Sequence, residues 1–183
     1  EEGETTPVNR VIPRIILGIH PYDLVSIEQM DKVFEDTHED PHYLEKRRQS
    51  VLVGVNMKSV SDKSFADTMG TATTDSGYDL MLTDIGNRYA IEVGSSKGSS
   101  LLEQAGNAVQ DINPEGIKKV KQFKEELPEK FRTDSNFDPF ELPSLLKEYY
   151  DNDEFWERNS EDCLSCGTCN LVCPTCYCFD VKD

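Results

Sequence analysis

The apolar residues of this chain fall into short runs separated by long polar stretches. Four runs have strand length and are rich in Val, Ile and Leu: Val11–Ile19, Ser50–Val55, Tyr78–Thr83 and Arg88–Val93. The first is bounded by Pro13 and Gly18 and predicts a buried strand. Ser50–Val55 lacks alternation, which predicts a strand covered on both faces. The last two are joined by Asp84-Ile-Gly-Asn87, a hairpin signature. Between the first two runs the period changes. Leu24, Ile27, Met30, Val33 and Phe34 share one face of a helix that begins after His20-Pro21-Tyr22-Asp23, with Asp23 as the expected N-cap. A strand-turn-helix of this kind can present a binding loop, but plain packing explains it as well. Leu101–Gln110 and Pro114–Arg132 read as further helices, and Pro128 marks a bend or early stop in the second.

The polar stretches carry few chemical hints. Thr37–Arg48 holds His38 and His42 four apart, a spacing that could present a metal pair on a helix. Pro41 lies between them and no third ligand is adjacent, so a solvated loop is expected. Residues 56–77, rich in Ser, Thr, Asp and Gly, predict a long surface loop of the mobile or functional kind. Gly94-Ser-Ser-Lys97-Gly98 is superficially like a phosphate loop but lacks its spacing, and reads as a strand-to-helix turn. Lys118, Lys119, Lys121 and Lys124 precede Glu125, Glu126 and Glu129, an order that opposes the helix dipole. Docking to an acidic partner is one reading of that order; a solvated face is the ordinary one. From Asp134 to Asp162 the chain is strongly acidic, with Leu142, Leu145, Leu146, Tyr149, Phe155 and Trp156 as expected anchors. Trp156 could shield a nearby site from water or pack on the main domain.

Charge narrows the choice of function. The 183 residues carry a net charge of −16, which repels phosphate backbones and anionic lipid surfaces, so nucleic acid and membranes are poor partners. No apolar run approaches the roughly 18 residues needed to span a bilayer. No Ser/His/Asp or Cys/His set stands out as catalytic machinery.

The cysteines decide the picture. All 6 lie near the C-terminal end, as Cys163-Leu-Ser-Cys166-Gly-Thr-Cys169-Asn-Leu-Val-Cys173-Pro174-Thr-Cys176-Tyr-Cys178. The first four follow the C-x2-C-x2-C-x3-C-P spacing by which bacterial ferredoxins hold iron–sulfur clusters. Three thiolates must converge from a tight loop, and Gly167 gives that loop backbone freedom beside the inorganic core. Pro174 lacks an N–H and turns the chain away. A structural zinc prefers two separated cysteine pairs, and a disulfide framework would leave most of the chain without a staple. In two-cluster ferredoxins the fourth cysteine of each run serves the other cluster. Either Cys173, Cys176 or Cys178 therefore completes a single cluster, or a second run belongs to the protein beyond this chain. Thiolates that hold iron favour a reducing, cytoplasmic setting, and acidic surroundings favour a low potential.

The cysteine segment with its Cys-Pro-Thr-Cys tail resembles the first cluster motif of a family of two-cluster iron–sulfur subunits. Its members serve anaerobic sulfite reductase and, as the beta subunit, soluble hydrogenase or sulfhydrogenase. Upstream, Ile16–Leu24, Asp31–Phe34, Asp40–Tyr43, Arg47-Arg48, Val53–Asn56, Thr68–Thr71 and Tyr78–Thr83 are similar to the α/β portion of that family. The resemblance implies an electron conduit that links a flavoprotein subunit to a catalytic redox subunit within a hetero-oligomeric complex. It implies Cys163, Cys166, Cys169 and Cys173 as ligands of [4Fe–4S] iron, with Cys173 serving a second cluster and Cys176 and Cys178 as lesser candidates. Tyr22 and the Ser59–Asp67 region stand where family members often carry cysteines, so any role based there is absent.

The expected architecture is α+β. An α/β-like portion with a small sheet and flanking helices (10–110) precedes a helical acidic connector (111–160) and a ferredoxin-like iron–sulfur segment (161–183). The expected function is electron transfer within an oxidoreductase. The alternative is a zinc-stapled, non-redox interaction module.

Overall fold

The computed structural model describes residues 11–36, 39–131 and 137–176. Its centre is a four-stranded sheet in the order β1 (Arg14–Ile19), β2 (Ser50–Val55), β3 (Leu80–Asp84), β4 (Tyr89–Val93). The first two pairings are parallel and β3–β4 is antiparallel. The mixed α/β class and the hairpin match the sequence expectation. Helix α1 (Pro21–Glu35) and helix α2 (Pro41–Gln49) link β1 to β2, and an irregular crossover links β2 to β3. Helices α3 (Ser96–Ala105) and α4 (Pro114–Glu126) follow the sheet. Among the described residues no helix is long and apolar enough to cross a membrane.

One face of the sheet carries the main core. Leu24 of α1, fully buried, packs with Leu52, Met81 and Ile19. Gly54 lies beneath this contact: a Cβ there would come within 2.8 Å of Leu24 Cδ1 and 2.9 Å of Met81 Sδ. On the same face, Lys124 of α4 reaches Glu92 of β4 at 2.9 Å. The opposite face receives α3. Gly98 packs so close that a Cβ would sit 2.0 Å from the Asp79 carbonyl oxygen. The Gly-Ser-Ser-Lys-Gly stretch is thus a strand-to-helix turn, as expected, and Ser95 caps α3 by accepting from the Gly98 N–H.

Asp79 ties these parts together. Its carboxylate is buried, accepting the Leu52 N–H at 2.7 Å through Oδ2 and the Ser95 hydroxyl through Oδ1. Its backbone exchanges bonds with Leu52 O and Gly94 N. A second core cluster, of Met57, Ala66, Ala72, Leu127 and Phe131, forms where the β2–β3 crossover wraps the end of α4. The crossover is therefore irregular, as expected, yet Met57, Ala66 and Ala72 are interior, while Phe65 and Met69 stay exposed.

Several expectations need correction. β1 is not buried: it is an edge strand, and Ile15, Ile16 and Leu17 are 57%, 44% and 69% exposed. Only Ile19, beyond a register shift at Gly18, turns into the core. The stretch after residue 40 is not a loop but α2. Asp40 caps it by accepting the His42 and Tyr43 N–H groups, and Pro41 occupies its first turn, where a missing N–H costs nothing. Contacts to α1 hold α2: Tyr43 donates to Asp31 at 2.7 Å, and Arg47 Nε bonds both Asp31 oxygens. Burial and the Asp31 hydrogen bond raise the Tyr43 pKa well above a phenol's usual value. His42 is exposed, and His38 lies outside the described residues. Asp23 is in the first turn of α1, whose N-cap is His20. Helix α3 ends at Gly106, which has φ 53°, and α4 ends before Pro128. Three of the four α4 lysines pair along the helix or with the sheet, Lys119 with Glu115, Lys121 with Glu125 and Lys124 with Glu92.

Candidate metal centre

The cysteines follow two short helices, α5 (Leu142–Glu148) and α6 (Asp153–Ser160). Asn152 caps α6 by accepting from the Phe155 N–H. The expected apolar anchors of this region do not enter a core: Leu145, Leu146 and Trp156 are all exposed. Instead Phe155 packs between Tyr149, tilted against it at a centroid distance of 4.6 Å, and Trp156, edge-on at 5.1 Å. The Trp156 indole N–H donates to the Tyr149 carbonyl at 2.9 Å, so its polar edge is satisfied within the connector.

Cys163 leaves the end of α6 with its N–H bonded to the Ser160 carbonyl at 2.9 Å. The backbone then bends sharply twice, at Ser165 (φ 53°) and Gly167 (φ 70°). An added Cβ at Gly167 would touch nothing within 4 Å, so the left-handed backbone, not crowding, is what asks for glycine there. The five-residue helix α7 (Thr168–Val172) carries Cys169, and Cys173 ends it by donating its N–H to the Cys169 carbonyl. Pro174 and Thr175 form the next turn, closed by Cys176 N–H to Cys173 O at 3.1 Å. Proline suits the second position of such a turn. It turns the chain as expected, and in doing so it returns Cys176 beside Cys173.

Cys163, Cys166, Cys169 and Cys176 are exposed and Cys173 is half-buried; none of the five is in a disulfide. Cys178 lies outside the described residues. Two threonines, each two positions beyond a cysteine, attend the sulfurs: Thr168 Oγ1 is 3.3 Å from Cys166 Sγ and Thr175 Oγ1 is 3.1 Å from Cys173 Sγ. The neutral Cys166 thiol donates to Thr168. Once it ionises, the Thr168 hydroxyl and backbone N–H stabilise the thiolate, and its pKa lies below the usual thiol range. Thr175, and then Cys176, do the same for Cys173. The repeated Cys-x-Thr spacing was a readable signal for these partners; the positive φ at Ser165 had none.

The donor set fits an iron–sulfur group in its chemistry: soft thiols, two of them biased toward the ligating thiolate, on a turn-rich backbone. In the described arrangement no three His, Cys, Asp or Glu side chains stand close enough together to hold one metal ion.

Compared with known proteins, the chain is similar to sulfhydrogenase 2 subunit beta of Pyrococcus furiosus, 28% identical over 183 residues. The alignment covers 100% of this chain and 54% of the relative, so the chain spans about half the length of the curated relative it matches. No family model matches it, and no solved structure does.

Proposed function

We propose that this chain is the iron–sulfur, electron-transferring part of a hetero-oligomeric oxidoreductase of the hydrogenase type. The observation that carries the reading is the run Cys163, Cys166, Cys169, Cys173-Pro174, within a likeness that spans this whole chain and about half of a sulfhydrogenase beta subunit. Cys163, Cys166, Cys169 and Cys173 hold [4Fe–4S] iron, and Cys173 shares in a second cluster where one is present. A cluster bound there supplies a one-electron carrier. The protein's part is to bind and orient: four thiolates would hold the iron, Thr168 and Thr175 would orient the Cys166 and Cys173 sulfurs, and the turn at Gly167 would leave backbone N–H groups available to sulfide. Acidic residues on α6 disfavour added negative charge and so favour a low potential. Electrons travel between flavoprotein and catalytic redox subunits, and this chain needs no acid, base or nucleophile of its own.

The test is anaerobic purification of the full chain, with iron and acid-labile sulfide counted. A brown protein bleached by dithionite, with an EPR signal on reduction, is the expected result. Cys163→Ala, Cys166→Ala and Cys169→Ala each lose cluster iron. Cys173→Ala disturbs a different cluster if runs exchange their fourth ligand, and the same cluster if the run closes on itself. A colourless protein holding one zinc per chain overturns the reading in favour of a zinc-stapled interaction module.

A further inference from the structure

The most anomalous surface of the molecule is β1. It is open on three sides. Its two faces leave Ile15, Ile16 and Leu17 between 44% and 69% exposed, with Ile12 at 57% just before them. Its outer edge closes the strand order, with no strand beyond it among the described residues. The other edge strand, β4, lines a cleft together with the segment from Ala108 to Asn113, and its Tyr89 and Val93 are also exposed. Nor is β1 blunted in the usual ways. Edge strands are commonly protected by inward charges, by proline within the strand or by a covering segment. Here Pro13 stands before the strand, and the Gly18 irregularity comes only after four residues paired in regular register, Arg14 to Leu17.

The charge around β1 is as unusual as its exposure. On a chain of net charge −16, a basic cluster gathers at the start of this strand. Arg14 pairs in register with Ser50. The Lys97 ammonium donates to the Ser50 carbonyl at 3.1 Å, and the Ser50 hydroxyl donates to Lys46 O at 2.8 Å. Arg48 stands two residues before Ser50. Among the described residues no ion pair engages Arg14, Lys46, Arg48 or Lys97. The nearby Arg47 is already matched by Asp31, and Glu45 is bound to Gln49.

We infer that β1 is a strand-addition site for a partner's extended segment, apolar along its middle and acidic at the end beside Arg14. Main-chain hydrogen bonds to the open edge supply affinity, Ile15 and Leu17 grip alternate side chains, and the basic cluster sets the register. A second copy of this chain is the poorer occupant, because two bodies of charge −16 repel.

The probe is a fluorescein-labelled peptide of alternating Val and Thr with two Asp at each end, titrated into the full chain by anisotropy. A control peptide carries Lys in place of Asp. The acid-ended peptide binds about tenfold or more tightly at low salt, and the gap closes as salt is raised. Amide exchange slows at Arg14–Leu17 on binding. The Ile15→Lys/Leu17→Lys variant loses binding while its far-UV circular dichroism is unchanged. Should that variant misfold, Arg14→Glu serves instead, and its preference shifts toward the Lys-ended peptide. Equal binding of both peptides, or no slowing at Arg14–Leu17, overturns the proposal. Sedimentation as a dimer with β1 already protected also overturns it and makes a second copy the occupant.

Discussion

The sheet portion and the cysteine segment are built on opposite principles. In the sheet portion, side chains from distant parts of the chain meet: Leu24 with Leu52 and Met81, Asp79 with Leu52 and Ser95, Asn56 with Thr83. Among described residues 137–176 none is buried, and Leu164, Leu171 and Val172 are 89%, 85% and 73% exposed. The hydrogen bonds of that segment join near neighbours, such as Cys173 to Cys169 and Cys176 to Cys173. A hydrophobic core orders the first region. In the second, the chain sets turns and presents thiols, and under the proposed function closing them on a common centre would be left to a bound group. On that reading metal binding would contribute folding free energy, as it does in small cysteine-bound modules.

The largest effect that sharpens this contrast is Gly98→Ala. The new methyl would stand 2.0 Å from a backbone oxygen that no rotamer change can move. The sheet portion should lose roughly 3 kcal/mol or more, at the top of the overpacking range, read by urea denaturation of the iron-free full chain. Next comes a pair of leucine truncations. Leu24→Ala opens a cavity under α1 and costs about 2–5 kcal/mol, whereas Leu171→Ala changes the same transition by less than about 0.5 kcal/mol. Comparable losses for the two would break the comparison, because they would place Leu171 in a shared core.

The smallest effect is electrostatic. Lys58, 73% exposed, reaches Asp84 at 2.6 Å and ties the β2–β3 crossover to the hairpin. The Lys58 hydrogen bond, then the Gly86 N–H, hold the Asp84 pKa below its ordinary 3.8, and the same partner raises Lys58 above 10.5. A carboxylate with a depressed folded pKa adds stability above its unfolded value, and that stability is lost as pH falls through the folded one. A lysine with a raised pKa adds stability below its unfolded value, and loses it as pH rises through the folded one. The tie should therefore weaken at both extremes and be constant between them. Carboxyl NMR titration of Asp84 should show its pKa moving upward in Lys58→Ala, with the cysteine segment's spectrum unmoved.

How far the sequence disclosed this structure depended on whether the signal was local. β2, the β3–β4 hairpin and the turn at Gly94 were legible because apolar runs, turn residues and breakers act over a few positions. Helix α2 was not. Its charged sequence has no apolar stripe, and it is held by Asp31, sixteen residues before Arg47. β1 was misread for a related reason. An apolar run announces a strand but does not say whether anything lies against it. In the candidate metal centre the cysteine spacing, Gly167 and Pro174 were readable, and so in retrospect were the threonines. Asp79 was not, since its partners are fixed only once β2, β3 and α3 are assembled.

The crossover from β2 to β3 also bears on how the chain reaches this fold. Parallel strands are usually joined by a helix that forms early and shortens the search. Here residues 56–79 offer turns instead, so bringing β3 beside β2 means closing a long irregular loop. Its closure entropy, growing as (3/2)RT ln n, is on the order of 3 kcal/mol and is paid before Asp79 can reach the Leu52 amide. The β3–β4 hairpin, with a four-residue connection, can form in microseconds. The barrier to folding therefore lies at the β2–β3 seam, and during synthesis the exposed β1 and β2 must wait beside each other until the hairpin arrives to complete the sheet.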